Sequence, residues 1–227
     1  MIPLKKPVLY RTMTEIATAQ IKDAILNGIY QPGSKIVPAQ LEKDLELGKA
    51  AIRDALRELT GMGLLINLPN KGTEVAGPIS KEEIIEVFEI RYFLEGKASF
   101  KAAQQMSTES LHELEEINEK LKKVPRSYSN EYFIINKEFH LKLYEYSGWS
   151  FLFRIIEQLF DQIRLYRLFY PFEPEDIEVY LDDHEKILNA LKSRKSAEVQ
   201  KRLVSHIKKG FNNIMELHKQ KLDSRAN

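Results

Sequence analysis

Between Thr14 and Ala76 the apolar residues follow a helical period in three short segments, then shift to two strand-like runs joined by a tight turn, an order few folds accept. The first segment, Thr14 to Asn27, puts Ile16, Ala17, Ala19, Ile21, Ala24 and Ile25 on its apolar side, with Gly28 where a C-terminal cap belongs. Pro32-Gly33-Ser34 then forces a turn. Pro38 opens a second, short helix carrying Leu41 and Leu45, and a break around Leu47-Gly48 separates it from a third over Lys49 to Met62. Leu64-Leu65-Ile66-Asn67-Leu68, the turn Pro69-Asn70-Lys71-Gly72 and Thr73-Glu74-Val75-Ala76 make a small hairpin. Helix, short turn, helix and hairpin together predict a winged helix-turn-helix over residues 1–76.

Gly77-Pro78 ends that pattern, so 77–79 reads as a linker. Ser80-Lys81-Glu82-Glu83 matches a capping box, with Ser80 accepting from the Glu83 amide and Glu83 reaching back. From there the helical period dominates, with helices expected near 80–105, 107–123, 128–147, 149–170, 174–193 and 195–221. The breaks between them are short: Pro125-Arg126-Ser127, Ser147-Gly148, Pro171-Phe172-Glu173-Pro174 and Ser193-Arg194-Lys195-Ser196. The expected fold is therefore mainly α: the winged unit, an all-α bundle over 80–222 and a tail at 223–227.

Bulk properties set limits on function. At 227 residues the chain has room for two domains of roughly 100–200 residues or slightly less. The absence of cysteine excludes disulfides and thiolate metal sites, leaving His, carboxylate or amide ligands for any metal. No run approaches the roughly 18 apolar residues of a membrane span, and Met1-Ile2-Pro3-Leu4-Lys5-Lys6 lacks a signal peptide's apolar stretch, so a cytoplasmic protein with no membrane partner is expected. The net charge of +1 says nothing about nucleic acid, and residues 1–76 carry only 10 Lys/Arg against 8 Asp/Glu. Placement must decide.

In the third helix Ile52, Ala55, Leu56 and Leu59 form the inward stripe, while Lys49, Arg53 and Arg57 fall four apart on another face. A recognition helix needs this division, because one face anchors it and the other carries cations to guanine edges and phosphates in the major groove. Lys71, between Asn70 and Gly72 at the hairpin tip, is placed for a phosphate or the minor groove. Three cations at this spacing can also be a plain solvated face; the preceding turn and the following hairpin favour double-stranded DNA. The acidic cluster Glu42, Asp44 and Glu46 argues against contact by the second helix unless its side chains point away.

These residues resemble the GntR-type winged-helix regulators. The blocks that carry the resemblance are Pro32-Gly33, Gly48-Lys49-Ala50-Ala51-Ile52-Arg53-Asp54-Ala55-Leu56, Gly63-Leu64 and Pro69-Asn70-Lys71-Gly72, in the family's order and spacing. Gly48 stands where the family has a capping Ser, Lys49 replaces Arg, and Ala50-Ala51 replace Thr-Pro. The resemblance implies that Lys49, Arg53 and the wing contact DNA.

The second half places polar residues on apolar stripes. Ile177, Leu181, His184, Leu188 and Leu191 share a face, as do Val199, Leu203, His206, Gly210 and Ile214. Tyr132, Asn136, Phe139, His140 and Leu143 form a third stripe, with Asn136 one turn before His140. One such imidazole is ordinarily a hydrogen-bonded core residue, but three from three helices converge as divalent transition-metal ligands would. His112 and His218 fall off these stripes and are expected at the surface. Arg91 lies on a stripe with Ile84, Phe88, Glu95 and Ala98, and is expected either to pair with Glu95 or to clamp a ligand carboxylate.

This half looks like the FadR-type ligand-binding domain of the same regulators, whose Asp-x-x-x-His pattern and two later histidines correspond to Asn136, His140, His184 and His206. The resemblance implies bound zinc, nickel or manganese, weakened here because Asn136 replaces the family's Asp. Trp149 replaces an Asn and is expected to alter the pocket floor. The expected function is a homodimeric regulator, a repressor, on a palindromic operator, tuned by a small carboxylate bound at Arg91 with the metal's help. A metal-dependent enzyme lacks a His-Glu-x-x-His motif or a comparable base, and a structural helical module with a DNA-binding head is the remaining alternative.

Overall fold

The computed structural model describes residues 12–77, 80–125, 129–171 and 173–226. The linker residues Pro78 and Ile79, the break residues Arg126 and Ser127, Phe172, and Asn227 of the expected tail lie outside the described residues. The chain forms two compact units, Met1–Pro78 and Ile79–Asn227. Among the described residues no helix is long and apolar enough to cross a membrane.

In the first unit, α1 (Met13–Leu26) starts just ahead of Thr14 because Thr12 and Glu15 form a capping box, Thr12 Oγ1 accepting from the Glu15 amide at 3.1 Å and Glu15 Oε2 accepting from the Thr12 amide at 2.6 Å. Helices α2 (Pro38–Leu45) and α3 (Lys49–Gly61) follow the expected breaks. α2 ends at Glu46, whose φ of 54° is left-handed, a conformation that Gly adopts without cost. α3 packs against α1, which buries its inward stripe together with Ala17, Ile21 and Ile25, and each buried Ile or Leu contributes about 1.5–3 kcal/mol by leaving water.

The hairpin, β2 (Leu65–Leu68) and β3 (Gly72–Val75), is antiparallel with Leu68 opposite Gly72 and Leu65 opposite Val75. A third strand, β1 (Lys35–Ile36), pairs with β3 to give the order β1-β3-β2. Two residues are too short to show an alternation, so the sequence offered only the turn before it. Gly33, at φ +80°, makes that turn and donates to Val75 O at 3.0 Å.

The second unit consists of α4 (Lys81–Gln105), α5 (Thr108–Lys123), α6 (Ser129–Glu145), α7 (Ser150–Phe169), α8 (Pro174–Lys192) and α9 (Ser196–Ala226). Its described residues are helical apart from the connections. α4 and α9 lie against one another at Gly96, where an added Cβ would stand 3.1 Å from Val204 Cγ2. Only the Ser80 half of the expected capping box is made; the Glu83 carboxylate instead accepts from Tyr166 Oη at 3.4 Å. α9 continues to Ala226 because no Gly or Pro follows Leu222 to stop it.

Candidate functional site

The first candidate surface belongs to α3 and the wing. Burial of Ile52, Ala55, Leu56 and Leu59 turns Lys49, Arg53 and Arg57 outward, and the last two side chains are 62% and 72% exposed. Asp54 lies 3.5 Å from Arg53 Nε and 3.7 Å from Arg57 Nη1, a weak association in water that a polyanion can replace. The three cations share a groove of about 310 Å3 with Asn67 and Thr73 of the wing and Glu42 of α2. The wing turns on Lys71, whose amide donates to Leu68 O at 3.1 Å, with Asn70 at φ +62° and Gly72 at φ +91°; all three residues are exposed. The acidic cluster divides. Asp44 accepts from Gln40 Nε2 at 2.6 Å and Glu46 closes α2, whereas Glu42 faces the groove rather than pointing away from it.

The second candidate site is buried in the helical unit. α6, α8 and α9 each bring one imidazole to the same point because His140, His184 and His206 occupy the inward stripes of their helices. His140 Nε2 lies 3.2 Å from His206 Nε2 and 3.3 Å from His184 Nε2, and the potential ligand atoms of the three lie within 4.8 Å of one another. Burial holds all three below the ordinary value of 6.5, His140 and His184 well below it; neighbouring imidazoles add to this for those two, and Asp183 opposes it for His206. The three rings are therefore neutral at neutral pH.

Around them lies a shell of polar side chains. Asp183 Oδ2 stands 3.5 Å from His206 Nδ1 and Asp183 Oδ1 accepts from Lys209 Nζ at 2.6 Å; burial alone would raise this carboxyl, but His206 and Lys209 hold it down to about 2. Asn136 Oδ1 is buried with no hydrogen-bond partner. Arg91 pairs with Glu95, Nε to Oε1 at 2.5 Å and Nη2 to Oε2 at 3.4 Å, so of the two expectations for this residue the internal ion pair is formed. Arg91 also lines, with Asn136, His140, Arg167, Tyr180 and His206, a cavity of about 40 Å3. Such a space admits a water or an ion and falls far short of the roughly 300–1,000 Å3 of a drug-sized ligand's pocket.

Two expectations are corrected. His218 is buried, not at the surface, because it lies one turn beyond Ile214 and continues the α9 stripe; its Nδ1 is 2.8 Å from Tyr170 Oη. His112 is exposed, beside Glu115 at 3.0 Å. Trp149 does not form the pocket floor: it is the N-cap residue of α7, half exposed, and does not line the cavity. Sequence reasoning also passed over Tyr144, Asp183, Arg167 and Tyr180. Tyr144, one turn after His140, was within reach of the same periodicity argument, as were Tyr180, one turn before His184, and Arg167, one turn after Ile163; that they line one cavity is decided by packing.

The two units define a class, a winged helix-turn-helix DNA-binding domain followed by an all-helical domain with a small polar cavity. Residues 14–75 match the bacterial regulatory proteins of the gntR family and residues 86–209 match the FCD domain, and the chain belongs to this family of DNA-binding transcriptional regulators, which are not enzymes. Among curated relatives, the transcriptional regulator McbR of Escherichia coli is 27% identical over 77% of this chain and 80% of its own. The Nta operon transcriptional regulator of Aminobacter aminovorans is 25% identical over 83% and 88%. The transcriptional repressor GlaR of E. coli is 24% identical over 82% and 89%. The solved structure of E. coli McbR superposes with a TM-score of 0.79 at 25% identity, covering 93% of this chain and all (100%) of that one. A GntR regulator from Rhodococcus sp. RHA1 superposes at 0.78 with 18% identity, over 89% and 97%, and so shares the fold.

Proposed function

We propose that the chain is a homodimeric repressor that reads a palindromic operator through Lys49, Arg53, Arg57 and the wing residues Asn70, Lys71 and Gly72, and that His140, His184, His206 and Asn136 hold a divalent transition metal beside a small carboxylate effector. Symmetric half-sites suit a two-fold protein, and the name of the GlaR relative supports repression. The observation that carries the metal reading is the convergence of three neutral imidazole nitrogens on one buried point, with Asn136, whose buried amide oxygen has no partner, lining the same cavity as His140 and His206. Ligands each about 2.0–2.1 Å from a tetrahedral ion stand about 3.3–3.4 Å apart, close to the spacing of these nitrogens. Zinc, nickel and manganese all accept such a donor set, and a bound ion would supply positive charge to a ligand carboxylate. Asn136 contributes an oxygen and no charge, which lowers affinity relative to a carboxylate.

Arg91, like Arg167, brings a guanidinium to the cavity wall, and a ligand carboxylate bound at Arg91 must share it with Glu95. The cavity of about 40 Å3 restricts such a ligand to an acid of a few heavy atoms, and anything larger requires the wall to move. Such a ligand controls operator affinity only if it binds one arrangement of the dimer more tightly than another. Two measurements test this reading: metal content of the purified protein beside a His184→Ala variant, and operator gel shifts across a panel of small carboxylates. A loss of metal in the variant and a carboxylate that shifts operator affinity are expected. Equal metal in both proteins would remove His184 from the site, and operator binding indifferent to every carboxylate would remove the effector.

A further inference from the structure

His140 is wired to Arg91 through two residues that have no part in the ligand set. Tyr144, one turn along α6, donates its hydroxyl hydrogen to Glu95 Oε2 at 2.5 Å. A phenol has one hydrogen to give, so the Tyr144 oxygen can then only accept. His140 Nδ1 stands 3.2 Å from that oxygen and must be the donor. The imidazole is thereby fixed with hydrogen on Nδ1 and a lone pair on Nε2, the atom turned toward His206 and His184. The chain is closed at its far end by Arg91, which grips both Glu95 oxygens while its guanidinium sits 4.9 Å from the Phe88 ring centre and 5.2 Å from that of Phe160. Arg91, Glu95, His140 and Tyr144 are all buried, Glu95 and Tyr144 completely, so water cannot substitute for a missing link.

We propose that Glu95 and Tyr144 are positioning residues that hold His140 in its metal-binding tautomer and connect it to the guanidinium facing the cavity. The inference rests on the metal reading above. A buried tyrosine could reach any acceptor to satisfy its hydroxyl; what is specific here is that its one hydrogen and its one occupied acceptor position both lie on the line from Arg91 to His140. A carboxylate that draws Arg91 toward the cavity would leave Glu95 pulling harder on the Tyr144 hydrogen, making that oxygen a better acceptor for His140 and its Nε2 a better ligand. Effector and metal would then bind with positive coupling, each tightening the other by the same factor.

The test uses the full chain, Co(II) as the probe, and the variants Tyr144→Phe and Glu95→Gln. Co(II) affinity is measured by competition with a chromophoric chelator, and the His140 tautomer of the metal-free protein by nitrogen NMR of the ring. Tyr144→Phe should weaken Co(II) binding by about 10–100-fold and shift His140 toward the Nε2–H form, while operator binding in the absence of metal stays at the wild-type level. Glu95→Gln should act in the same direction; if it does not fold because Arg91 has lost its carboxylate, Tyr144→Phe decides. Wild-type Co(II) affinity and an unchanged tautomer in Tyr144→Phe would overturn the inference and leave the metal site standing. If the wild-type protein takes up no Co(II), the metal reading falls, and the relay is kept or discarded on the tautomer alone.

Discussion

In the winged unit the candidate functional groups stand in water: Arg53 and Arg57 are mostly exposed and associate loosely with Asp54. In the helical unit the corresponding groups are shut away, with Arg91, Glu95, His140, His184 and His206 all buried and bonded among themselves. The contrast separates two ways of preparing for a partner. An exposed cation is solvated and adds little to folding, so its interaction energy is realised only when a phosphate or base arrives. A buried ion pair or imidazole has lost its water already, and the fold stands only while each group keeps its neighbour. Substitutions in the first unit should therefore change binding without changing stability, and substitutions in the second should do the reverse or both.

The largest effect should come from Arg91→Ala, which strands the fully buried Glu95 carboxylate; a loss of about 3–5 kcal/mol in urea denaturation is expected. A loss below 1 kcal/mol would mean that Glu95 is neutralised without Arg91. Acidification should come next. All five histidines lie beyond residue 111, so the winged unit has none. Unfolded histidines take up protons near 6.5, whereas burial keeps His140, His184 and His206 from doing so in the folded protein. Protonation thus favours the unfolded chain: stability is full above pH 6.5 and falls below it, by up to about 1.4 kcal/mol per pH unit for each group. Thermal melts between pH 7.5 and 5.5 should show the loss confined to the helical unit, and equal sensitivity in both units would break the comparison.

Arg53→Ala should weaken operator binding by about 1–3 kcal/mol, roughly 5–150-fold, while shifting stability by less than about 0.5 kcal/mol. Gel shifts and melting curves on the same preparation check both halves. The smallest expected change sharpens the contrast from the other side. Glu46 is held at φ +54° in the exposed unit, and Glu46→Gly should stabilise that unit by about 1 kcal/mol, with operator affinity unchanged.

Glu42 qualifies the division between the units. It lies in the groove of Lys49, Arg53 and Arg57, so this face is not uniformly basic. An acid among cations disfavours indiscriminate phosphate binding and can accept from cytosine N4, which trades affinity for selectivity.

Much of this was written in the chain itself. The stripe Ile52, Ala55, Leu56, Leu59 fixed which face of α3 is buried, and hence that Lys49, Arg53 and Arg57 look outward, because on one helix periodicity determines direction. Asn70 and Gly72 marked the wing turn by their tolerance of positive φ. The stripes of α6, α8 and α9 likewise determined that three imidazoles point inward. They could not determine that the three meet, since depth and azimuth along separate helices depend on how those helices pack. Only the tertiary structure brought Nε2 of His140 to 3.2 Å from that of His206, added Arg167 and Tyr180 to the cavity wall, and threaded Glu95 to Tyr144 across 49 residues of sequence. The physical reason is that periodicity encodes a direction from one axis, whereas a site requires positions shared by several.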